Sequence, residues 1–155
     1  MTLDQPCLSA APAQARDATQ DFADAQSYVG TEYIAGEYDC AHLFLDVQRQ
    51  VFGRVLALPQ SVQAHAQGRA TQAQQINAVR DALAQRVPEP VHGCAVLLTT
   101  PTDAGHLLWH VGTVFVHRGD VWVLHNSAAM GSAALNRLRD FAWRGQHIEG
   151  FYTWK

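Results

Sequence analysis

The chain has 155 residues, three cysteines and a formal net charge of −3, with 48% hydrophobic and 16% charged residues. That length suits one domain with a core that holds without disulfides or metal, and the composition excludes a disordered chain and lacks the basic excess of a nucleic-acid binder. Cys7, Cys40 and Cys94 are odd in number and show no paired-motif spacing, which argues against a disulfide framework and for a reducing place of synthesis.

Residues 1–16 are rich in Ala, Gln, Pro and Ser and read as a loosely held arm; residues 17–155 read as a single domain. The first residues lack the basic start and apolar run of a signal peptide, and no window approaches the ~20 apolar residues of a membrane span. The expectation is a protein made in the cytoplasm, without a signal peptide, that needs lysis, a secretion machine or a particle to work outside.

From Asp17 to Tyr28 the positions of Phe22, Ala25 and Tyr28 predict a short helix. Gly30 and Gly36 punctuate an aromatic approach loop carrying Tyr33 and Tyr38, and the stretch EYDCAHLFLDVQRQVFG (Glu37–Gly53) follows. Asp39 is a good N-cap, and Leu43, Phe44, Val47, Val51 and Phe52 recur at helical spacing, so Cys40 falls in the first turn. There the helix dipole and unpaired backbone N–H groups favour thiolate, and the same N–H groups suit an oxyanion. A buried structural cysteine fits this stretch as well.

Val62, Ala66, Ala70, Ala73, Ile76, Val79 and Leu83 share one stripe, predicting one or two Gln-rich helices over 60–86 with a break near Gly68. His65 reads as a surface histidine. Pro88 and Pro90 then mark a border, beyond which the period changes to 2. Strands are predicted at Cys94–Thr99, Trp109–Val116 and Asp120–His125, with Pro101–Gly105 a loop and His117–Asp120 a turn. Helices followed by antiparallel strands indicate an α+β domain. With the turn centred between Arg118 and Gly119, Val116 faces Val121, Val114 faces Val123 and Gly112 faces His125. His110 and His125 then share one face on a diagonal that two imidazoles can bridge, and Gly112 leaves them room. A helix-start cysteine with two adjacent histidines fits nucleophile, base and orienter.

The order YDCAHL, WHVGTVFV, VWVLH resembles the NlpC family of papain-like cell-wall peptidases, in particular its phage and prophage branch, from about Val29 to Lys155. The run DCAHLFLDVQRQVFGRVLALP matches the cysteine motif and its helix, and IEGFYTW resembles the closing strand. The resemblance implies an NlpC-type papain-like fold and a cysteine peptidase acting on the peptide stem of peptidoglycan, often at the bond between D-glutamate and diaminopimelate. It further implies Cys40 as nucleophile, His110 as base and His125 as third residue, with Tyr33 first and Tyr28 second as the tyrosine near the oxyanion or substrate. No cofactor is implied. Phage tail proteins are possible partners, and a tail or scaffold component that keeps the fold without efficient chemistry is the alternative.

The chain departs from the family pattern at Gly93-Cys94, where Gly-Asp is usual, and at Ala41-His42, where Ser-Gly is common. Cys94 reads as a buried strand residue and His42 as pointing away from Cys40 to position a neighbouring loop. A zinc site drawn from Cys40, His42, Cys94, His106 and His110 is disfavoured, since His106 and His110 on one strand stand about 13 Å apart.

Overall fold

The computed structural model describes residues 17–56 and 69–155, with the backbone alone for 69–75. The arm at 1–16, Cys7, His65 and the expected break at Gly68 lie outside the described residues. Helix α1 is Ala18–Tyr28, capped by Asp17 accepting from Thr19 N–H. Helix α2 is Cys40–Gln50; its cap Asp39 accepts from the N–H groups of Ala41 and His42, which pins the helix start at the cysteine. Helix α3 is Arg69–Leu83.

Six strands form one antiparallel sheet in the order β1-β6-β2-β3-β4-β5. They are β1 Ala84–Val87, β2 Ala95–Pro101, β3 Leu107–His117, β4 Asp120–Ser127, β5 Ser132–Arg137 and β6 His147–Trp154. The domain is therefore α+β. The β3–β4 hairpin has the expected register, Val114 opposite Val123 and Val116 opposite Val121. Its two-residue turn carries positive φ at both Arg118 (50°) and Gly119 (79°), the conformation that matches the strands' twist.

Two strands depart from expectation. Ala84–Val87 is a strand and not a helix end, because Pro88 drives its predecessor out of helical conformation and β6 offers a partner. Strand β5 escapes notice in the sequence: SAALNR has no β-branched residue, and it is a strand because β4 pairs along its whole length.

Alternation along the strands divides the sheet into two faces. On one, Phe22, Ala25, Leu43, Val47 and Val51 of α1 and α2 bury Phe115, Leu124 and Ala133, while Cys40 and Phe44 bury Ala95, Leu97, Val111 and Tyr152. On the other, Phe141, from two short 3-10 turns at Leu138–Asp140 and Ala142–Arg144, covers Val96, Leu98, Val114 and Val123. Buried Gln48 donates to Gly93 O (3.2 Å) and so ties the end of α2 to the loop before β2. His92 accepts from Val116 N–H (2.9 Å) and, its tautomer thereby fixed, donates to Asp21 (3.1 Å), tying α1 to the sheet.

Candidate active site

The histidine pair lies on the face covered by Phe141. His110 Nε2 and His125 Nδ1 are 2.8 Å apart, with ring centroids 5.0 Å apart at 85°. A Cβ on Gly112 would run into the Val123 side chain and crowd the Leu124 carbonyl at 3.1 Å, so the small residue is what lets β3 and β4 approach closely beside the pair.

The sequence reading missed the next member. His125 Nε2 is 2.8 Å from Asn136 Oδ1, on β5. A carboxamide oxygen only accepts, so Nε2 carries the His125 proton and donates it, and Nδ1 is left to accept from His110 Nε2–H. His110 then has a bare Nδ1, the state a general base requires. Each partner fixes the tautomer of the next. His125 is 2% exposed and packs on Phe141 at 5.0 Å between centroids. Burial pushes its pKa down, with the Asn136 bond opposing; His110 is pushed down to about 3 by burial and by His125 beside it. Both rings are neutral near pH 7.

Cys40 begins the helix that packs on the other face. The hairpin ladder stops at Thr113 opposite Leu124. Just beyond, the backbone N–H of Val111 bonds to the Cys40 sulfur, joining the thiol to the residue after His110. The N–H groups of Cys40 and Ala41 also reach the sulfur, as a helix start provides. These donors do not win. With Cys40 only 4% exposed, burial dominates and the Asp39 carboxylate adds to it, so the thiol is pushed up to about 11. The thiolate expected from the helix end alone is thus replaced by a neutral thiol.

Of the tyrosines, Tyr33 is the one whose phenol feels Asp39 and Cys40; burial first and then these two push its pKa up. Its loop is laid along β5, with Tyr33 N–H donating to Gly131 O (3.0 Å) and Ala133 N–H to Thr31 O (2.8 Å). Tyr28 does not join it. Tyr28 packs into the α1–α2 core and feels Asp46 and Asp24, and Tyr38 donates to Asp46 Oδ2 (3.2 Å). Asp46 is six residues, about 9 Å of helix, from Cys40. The apolar packing of a ring against two helices outweighed its closeness in sequence.

His42 Nδ1 is 2.8 Å from the Asp39 carboxylate, so it reinforces the cap and positions no separate loop. Cys94 is 2% exposed beside the face away from α2. His106 lies in the loop before β3, and His117 stacks on Phe22 at 4.0 Å, about 23 Å along the strand from His110. Among the described residues no group of three or more His, Cys, Asp or Glu converges to hold a metal, and no helix is long and apolar enough to cross a membrane.

No protein-family model, curated protein or solved structure matches this chain. The fold and the site define an α+β domain with a histidine–histidine–asparagine chain on one face of its sheet and a helix-start thiol on the other, linked through Val111, the residue that follows His110.

Proposed function

We propose that the protein is a cysteine peptidase of papain-like, NlpC type that hydrolyses an amide bond in the peptide stem of peptidoglycan. The observation that carries the reading is that Val111, whose N–H bonds to the Cys40 sulfur, directly follows His110, the first member of the His110–His125–Asn136 chain. Cys40 gives its proton to His110 Nδ1 as its sulfur attacks the carbonyl, so the ion pair forms only as the bond is made. The Cys40 N–H at the helix start and the Tyr33 hydroxyl are the donors for the oxyanion. The imidazolium returns the proton to the leaving amine, and water then hydrolyses the thioester with His110 again as base. The D-glutamate–diaminopimelate bond is the favoured target on the motif resemblance.

Delivery to the wall by a phage particle, lysis or a secretion machine belongs to the same reading, with tail proteins as partners. Burial of Cys40 favours a second reading, a tail or scaffold component that keeps the fold without turnover. Digestion of purified sacculi, with fragments identified by mass spectrometry, tests both. Stem-peptide fragments from the protein, absent with Cys40→Ala and present with Cys94→Ala, are the expected result. Fragments released equally by Cys40→Ala would end the cysteine mechanism, and no fragments from the unaltered protein would leave the second reading.

A further inference from the structure

Asn126 follows His125 on β4 and is fully buried, at 0% exposure. Had the β3–β4 ladder continued one step past Thr113 and Leu124 on the α2 face, Asn126 would stand opposite Val111. The ladder stops short, and each residue turns instead to the segment entering α2. Val111 gives its N–H to the Cys40 sulfur, and Asn126 Nδ2–H donates to Tyr38 O at 2.7 Å, two residues before Cys40. Asn126 Oδ1 is buried with no partner. A buried orphan oxygen is unfavourable, and an apolar side chain of the same size would avoid it; the carboxamide is useful here only through its N–H side.

We propose that Asn126 is a positioning residue for the nucleophile, clamping the Tyr38–Asp39 entry so that Cys40 is held at the fork between β3 and β4; the inference rests on the hydrolase reading above. Consecutive strand residues point to opposite faces. His125 therefore orients the base on one face while Asn126 anchors the nucleophile's loop on the other, and one dipeptide sets the position of thiol relative to imidazole. Such a clamp acts on turnover more than on substrate affinity, because a displacement of about 1 Å between reacting groups costs on the order of 10²-fold in rate.

The test compares Asn126→Leu with Phe22→Leu, a core truncation in the middle of α1, in the full-length protein. Turnover of soluble muropeptides and the pH midpoint of Cys40 alkylation by iodoacetamide are measured beside thermal stability. Asn126→Leu is expected to lower kcat on the order of 10²-fold with KM changed less than about threefold. Its alkylation midpoint should fall toward the ordinary thiol value of ~8.5 as the loosened cysteine regains water. Phe22→Leu should lose stability without either change. If Asn126→Leu does not fold, Asn126→Asp keeps the shape, lacks the donor at neutral pH and should show the same loss of kcat. Unchanged kcat and midpoint at Asn126, or equal changes in Phe22→Leu, would overturn the clamp. Should the unaltered protein show no turnover, the hydrolase reading fails by itself, and the alkylation midpoint still decides the clamp.

Discussion

Replacing Asn136 by leucine removes the acceptor at the end of the imidazole chain while keeping the side-chain volume. With Asn136 present, the 2.8 Å bond to His125 Nε2 selects the order of protons that leaves His110 Nδ1 bare. A bond of this kind is worth about 1–1.5 kcal/mol net, near tenfold in favour of that order. In the leucine variant a proton on His125 Nε2 would be a buried donor without a partner, costing about 1–3 kcal/mol. The chain then reverses: His125 Nδ1–H donates to His110 Nε2, and His110 carries its proton on Nδ1, the atom that has to be bare for His110 to act as base. The competent tautomer drops to a tenth or less, and kcat should fall about tenfold or more with KM little changed. Asn136→Asp preserves the acceptor and should retain most activity. Its charge should raise the pKa of both histidines, moving the acid limb of the rate profile upward. Steady-state rates on a soluble muropeptide and ¹⁵N shifts of the two imidazoles read the effect directly. Wild-type kcat in Asn136→Leu, or ring shifts unchanged from the wild type, would refute the tautomer chain.

His110→Ala should cost on the order of 10³-fold in kcat, and His125→Ala less, with part of the loss recovered in His125→Asn. His106→Ala should be nearly silent, and His117→Ala should lower stability through its lost stack on Phe22 without touching kcat; a His106 loss matching that of His110 would contradict the assignment. Unfolding by urea should show a stability plateau between about pH 6.5 and 9. The folded pKa of His110 is depressed, so its contribution is present above pH 6.5 and is lost on acidification, about 2 kcal/mol by pH 5; Cys40 is shifted upward, so its contribution fades as pH rises past about 9. The acid-side loss should shrink in His110→Asn. Gly112→Ala should drive the added methyl into Val123 and the Leu124 carbonyl, lowering stability by about 1–3 kcal/mol and activity with it, measured by thermal unfolding and muropeptide turnover.

Much of this site was readable from residue order. Asp39 capping a helix at Cys40 is a local matter, settled by a side chain and two N–H groups within three residues. The hairpin register was equally local, since the Arg118-Gly119 turn fixes which residues face each other, and it brought His110 and His125 together. Asn136 and Asn126 were not readable. Their importance comes from β5, whose alanine-rich sequence carries little strand signal, and from a place where strands stop pairing, which no periodicity marks. The protonation state of Cys40 also escaped, because a helix end is visible in sequence whereas the burial that overrides it is assembled from β2, β3 and β6. Tyr33 ranks ahead of Tyr28 by motif resemblance alone; the physical difference, that Tyr28 packs into the α1–α2 core, carries no mark in the sequence.

Strand β6 sits between β1 and β2, although it is made after every other strand. Strand β1 pairs with β6 and has no other neighbour in the sheet, so Ala84–Val87 waits for residues 151–154 before it has a place. The site side chains, from Tyr33 to Asn136, are all synthesised by then, yet Tyr152, part of the wall around Cys40, has not arrived. On the ribosome, where the chain grows at about 5–20 residues per second, the cysteine is therefore complete in sequence before its surroundings close. A nascent chain halted short of β6 should leave Cys40 open to thiol reagents. Strand β6 thus closes two things at once, the place of β1 in the sheet and the Tyr152 side of the wall around Cys40.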